Sequence, residues 1–91
     1  MEQRIELFGV ARLLAGRKEL TVELPDGATV GDALRAIGAE CPTLVDSVLT
    51  PQGDLVEGSI LSLGGRSFGI DRETPLPADT PVLILPAIAG G

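Results

Sequence analysis

The sequence predicts an α+β domain of two layers, with one main helix packed on one face of a mixed four- to five-stranded sheet. Three observations predict it. Two alternating segments near the start read as neighbouring strands, a capped amphipathic stripe follows over 29–41, and a continuous apolar run stands late, at 82–85. With 91 residues there is room for one small domain, and a hydrophobic share of 44% is enough to build its core.

Arg4-Ile5-Glu6-Leu7-Phe8 alternates, placing Ile5 and Leu7 on one face and Arg4, Glu6 and Phe8 on the other. Gly9 ends it, and residues 10–17 show no sustained period. From Lys18 to Leu24 the alternation returns, with Leu20, Val22 and Leu24 on one side. The two segments predict an antiparallel pair joined as a hairpin, with one wet face. Pro25-Asp26-Gly27 then supplies a turn.

Thr29 is a helix N-cap, and Asp32 three residues on completes a capping box while favouring the helix dipole. Val30, Ala33, Leu34 and Ile37 fall on one stripe, which predicts the buried face. Pro42 stops the helix near Ala39–Cys41. Thr43 to Leu49 predicts a further helical turn burying Leu44 and Val48, with Val45 a third candidate, and Pro51-Gln52-Gly53-Asp54 is a loop.

Ser59 to Leu63 is a short apolar strand, Gly64-Gly65 a tight reversal, and Arg66 to Ile70 a short return strand. Leu76 to Pro81 is a turn cluster. Val82-Leu83-Ile84-Leu85 is the most apolar strand, stopped by Pro86. Successive side chains of a strand point to opposite faces, so two of these four point away from the helix layer. Either the segment 43–57 folds over that second face, or a partner protein covers it. Phe8, outward on the first strand, favours the partner.

Composition removes several function classes. Thirteen acidic residues against seven basic ones give a formal net charge of −6. That balance speaks against a nucleic-acid partner, which needs clustered Lys and Arg, and against an anionic membrane surface. The chain has no histidine, so it has no His-dependent catalytic triad and no His-containing metal site; no metal site is expected. A single cysteine forms no internal disulfide, and nothing contradicts a reducing cytosol. The first residues lead straight into a strand rather than a cationic and then apolar signal stretch, and no apolar run approaches the roughly 20 residues of a membrane span. The expected location is cytoplasmic.

Individual residues offer little catalytic equipment. Cys41 lies between Glu40 and Pro42 at a helix end, where the local field disfavours a thiolate, so it reads as a packing residue. Arg66 reads as a solvated turn residue with a possible phosphate or carboxylate contact, and Asp71, Arg72 and Glu73 as a solvated loop. Gly64-Gly65 lacks the Lys-Ser/Thr of a phosphate loop. Lys18 is the only lysine, which makes chain building on this protein improbable but leaves single conjugation open.

The sequence closes on Gly90-Gly91. Two residues without Cβ form a thin, permissive backbone suited to a narrow tunnel, and the α-carboxylate of Gly91 is then the reactive group. The alternative is a frayed end with no function. Residues 1–86 are expected to form the domain and 87–91 an extended tail.

These features carry a resemblance. Leu7-Phe8-Gly9 with Leu13-Leu14-Ala15-Gly16, the stretch Leu24 to Asp32, Leu76 to Val82 and Leu85 to Gly91 are similar, in order, to the MoaD/ThiS family of ubiquitin-like β-grasp sulfur carriers. The proline-bearing end is most like the small subunit of molybdopterin synthase. Gly64-Gly65-Arg66 and Ala78-Asp79-Thr80 depart from the family's usual turns. The resemblance implies a β-grasp fold and a non-enzymatic role as protein cosubstrate. An E1-like adenylating enzyme would use ATP and Mg to activate Gly91, with Gly90 threading its active site, and a sulfur donor would form the thiocarboxylate. The chain itself would bind no cofactor. A sulfur-accepting subunit, of the large molybdopterin synthase type, would then take the sulfur for molybdenum cofactor biosynthesis. Cysteine, thiamine or a thio-containing natural product are alternative destinations, and a ubiquitin-like protein modifier or a plain interaction domain are alternative functions. The residues implied in partner binding are Phe8, Val82, Leu83, Ile84, Leu85, Pro86, Ala87, Ile88 and Ala89.

Overall fold

A computed structural model describes residues 1–68 and 70–86, with Ser67 and Phe68 described as backbone. The elements are β1 (Glu2–Leu7), α1 (Val10–Ala15), β2 (Glu19–Glu23), α2 (Val30–Glu40), a 3-10 turn (Pro42–Leu44), β3 (Ser59–Leu63), β4 (Ser67–Phe68) and β5 (Val82–Pro86). The strands form one five-stranded sheet in the order β2-β1-β5-β3-β4. β5 is parallel to β1 and antiparallel to β3, which makes the sheet mixed as expected.

The helix layer follows from local chemistry. The Thr29 side chain accepts a hydrogen bond from the Asp32 backbone N–H at 3.3 Å, and the Asp32 carboxylate accepts from the Thr29 N–H at 2.9 Å. This capping box fixes where α2 begins. Val30, Ala33, Leu34 and Ile37 are buried, as their spacing predicts, against Ile5, Leu7, Leu20, Val22 and Ile84. Gln3 joins this face; its buried amide donates to the backbone oxygens of Thr80 at 2.8 Å and Arg4 at 2.9 Å. That bond ties the loop before β5 to the neighbouring strand.

Several expectations are corrected. The β1–β2 connection is not a tight hairpin: α1 lies within it, closed by Gly16 in the left-handed region at φ 71°. Residues 43–49 form the short 3-10 turn and a loop rather than a longer helical segment, although Leu44, Val48 and Leu49 are fully packed. This segment joins the same core as Ile37 and packs beside α2 at Gly38, where a Cβ would make ordinary contact with Leu49 Cδ1 at 3.5 Å. It therefore thickens the helix layer and does not cross to the other face of the sheet. β4 is two residues long, shorter than the expected strand from Arg66, and Gly69 of that expectation lies outside the described residues. Pro86 does not stop β5 but is its last residue, paired with Ser59. β1 has ended at Leu7 by then, so a residue without an N–H is tolerated there.

Candidate functional site

The expected reactive group and the whole of the expected tail, Ala87, Ile88, Ala89, Gly90 and Gly91, lie outside the described residues. The structure describes the platform from which they continue. β5 is the central strand, hydrogen-bonded on both sides, so it holds Pro86 at a fixed point of the sheet's end.

Along β5 the burial alternates. Val82 and Ile84 are 0% and 1% exposed and belong to the core, whereas Leu83 and Leu85 are half-buried on the opposite face. Of the four strand residues expected in partner binding, only Leu83 and Leu85 present side chains outward; Val82 and Ile84 are spent on the core. The register places Leu83 between Glu6 and Ser62, and Leu85 across from Ile60. Phe8, half-buried, follows β1 and donates its backbone N–H to the Ile84 oxygen at 3.0 Å. The outward face is thus divided. On β1 and β2 it is polar, with Arg4 beside Glu6 at 3.8 Å and Glu19 at 3.4 Å. Towards β5 and β3 it carries Leu83, Leu85 and Ile60, with the buried Ser62 beside Leu83.

Pro86 sits against Gly9, which begins α1 at φ 58° and ψ −131°. A Cβ on Gly9 would come within 3.1 Å of the proline ring, so glycine serves two needs there: the backbone angle and the close approach. Phe8, Val10, Leu85 and Pro86 share a shallow depression of about 160 Å³ with Val56 and the Gly58 turn. α1 is the part of this region that its spacing did not reveal in advance. Val10, Leu13 and Leu14 stand at i, i+3 and i+4 between Gly9 and Gly16, a helical signal in hindsight, but they face outward.

The remaining candidates stay structural. Cys41 is buried at the C-cap of α2. Arg72 pairs with Asp54 at 2.6 Å, and its backbone oxygen accepts from the Gly31 N–H at 2.8 Å, so this loop straps the start of α2. Asp32 has its carboxyl held below the usual value of 3.8, first by the Thr29 backbone N–H and then by the Thr29 hydroxyl and Arg35, with burial opposing. Among the described residues, no cluster of three or more metal-ligating side chains occurs, and no helix is long and apolar enough to cross a membrane.

No protein-family model matches the chain. Small archaeal modifier protein 3 of Haloferax volcanii is 29% identical over 92 residues, covering the whole of both chains. The crystal structure of SAMP1 from Haloferax volcanii superposes with a TM-score of 0.84 at 25% identity, again over all of both chains. A putative molybdopterin converting factor, subunit 1, from Pyrococcus furiosus superposes at 0.75 with 22% identity, over 97% of this chain and 99% of that one; it shows the shared fold. The ubiquitin-like β-grasp fold and the resemblance to small proteins of that fold are therefore borne out.

Proposed function

We propose that the chain is a ubiquitin-like carrier, a protein cosubstrate rather than an enzyme, whose Gly91 carboxylate is activated by an E1-like enzyme and converted to a thiocarboxylate. What supports this reading is that, in sequence, Gly90 and Gly91 stand four and five residues after the central strand of a β-grasp domain. Five residues reach at most about 17 Å, enough for the last carbon to enter a partner's active site while the domain stays outside.

The chemistry requires nothing of the domain but presentation. A Gly91 carboxylate oxygen attacks the α-phosphorus of Mg-ATP, and pyrophosphate leaves. A sulfur nucleophile then attacks the carbonyl carbon, and AMP departs with the attacking oxygen. ATP and Mg belong to the activating enzyme. Leu83, Leu85 and Phe8 form the apolar ground on which partners dock beside the tail, and Gly90 keeps the entering backbone thin. The first-choice acceptor is a pterin precursor held by a large subunit of the molybdopterin synthase type, in the cytoplasm. Cysteine, thiamine thiazole and thio-containing natural products are the other acceptors in this class.

A second reading is favoured by the names of the relatives, which are called modifier proteins. In it a target lysine amine attacks the activated Gly91 carbonyl, and the chain is retained through an isopeptide bond. The fate of the activated protein separates the two. Incubated with a molybdopterin-synthase large subunit and its pterin precursor, a sulfur carrier returns free with oxygen in place of sulfur. Offered to cell proteins with the activating enzyme, a modifier returns as a covalent adduct on lysine, mapped by peptide mass. Neither product from protein that has been activated would refute both readings.

A further inference from the structure

α1 turns its larger apolar residues to solvent. Val10, Leu13 and Leu14 are 55%, 80% and 38% exposed, while the inward position of the same helix is taken by Ala11. Such a stripe contributes nothing to the core, and exposed apolar patches of this kind mark interaction surfaces. Arg12, Arg17 and Lys18 stand around it, all exposed. Arg4, Arg35 and Arg72 are each matched by a carboxylate, but Arg12, Arg17 and Lys18 have no ion pair among the described residues. In a chain of net charge −6 these three exposed cations stand on α1 and in the turn that follows it.

The stripe also reaches the end of β5. Val10 lines the same depression as Pro86, and Gly9 touches the Pro86 ring. A protein that grips the residues after Pro86 and closes on this end of the sheet meets α1 next. A second copy of the chain fits less well, because a two-fold contact through α1 would set the three cations against their own equivalents.

We propose that the outward stripe of α1 is a docking site for the activating enzyme, whose facing surface is apolar at its centre and carries carboxylates at its rim. This rests on the proposed activation of Gly91.

The test is ATP–pyrophosphate exchange with the E1-like enzyme of the source organism, comparing the wild type with Leu13→Ser and with the double variant Arg12→Glu/Arg17→Glu. Leu13→Ser is expected to raise KM for the carrier about tenfold with kcat unchanged, as for the loss of an apolar anchor. The double variant raises KM at low salt and abolishes the salt dependence that the wild type shows. Sedimentation and thermal unfolding should show all three proteins monomeric and equally stable. Unchanged KM in both variants of an active wild type overturns the docking site alone, as does a wild-type dimer that Leu13→Ser dissociates. No exchange with the wild type overturns the activation reading and this inference with it.

Discussion

Gly9→Ala isolates the contact between the start of α1 and Pro86, the last residue of β5. The native angles, φ 58° and ψ −131°, match the first central position of a type II′ turn, which glycine dominates. Holding an alanine there costs about 1–3 kcal/mol. The new methyl also falls 3.1 Å from Pro86 Cγ and 3.3 Å from Cδ, an overpacking worth about 1–3 kcal/mol if the ring cannot yield. Against these stands a gain of up to about 1 kcal/mol from the stiffer unfolded chain. The net expectation is a loss of about 1–6 kcal/mol, which lowers the melting temperature by at least about 4 °C in a domain of this size. Urea unfolding and calorimetry measure it. Adding Pro86→Ala should restore the contact part and leave the backbone part. A Gly9→Ala protein within about 0.5 kcal/mol of the wild type would refute both the strain and the packing argument.

Thr29→Ala removes the N-cap of α2 and should cost about 1 kcal/mol in urea unfolding. Asp32 makes the same cap pH-dependent. Its folded pKa lies below the unfolded value of 3.8, so its stabilisation is fully present at neutral pH and is lost as pH falls through the folded value. The stability difference between wild type and Asp32→Asn should accordingly stay flat above the unfolded value of 3.8 and shrink as pH falls from there through the folded value. Leu44→Ala tests the place of the 3-10 turn: with Leu44 fully buried, the loss should be about 2–5 kcal/mol, and a surface-like effect would detach this segment from the core. Leu83→Asp, at the outward centre of β5, should raise the carrier's KM for activation about tenfold or more while circular dichroism stays native.

The features legible in the sequence are those with a local cause. α2 was readable because the capping box and the stripe of Val30, Ala33, Leu34 and Ile37 are both set within a single turn or two of chain. β5 was readable as a strand because four apolar residues stand between a turn cluster and a proline. α1 escaped for two physical reasons. It is only six residues long, and the residues with a helical period are those it exposes, so the pattern does not mark burial. The fate of the segment 43–57 depended on tertiary packing, since Leu44, Val48 and Leu49 are buried in the core shared with α2 and nothing local says so. The outward face of β5 was half legible. Alternation requires two residues to point away, but only the register with β1 and β3 identifies them as Leu83 and Leu85.

The most direct test of the central claim is the intact mass of the protein after incubation with the E1-like enzyme, Mg-ATP and a sulfur donor. A carrier activated at Gly91 gains the mass of one oxygen replaced by sulfur, located on Gly91 and absent from a variant lacking that residue. An unchanged mass with an enzyme that activates its own known carrier, and no AMP adduct, would contradict that claim.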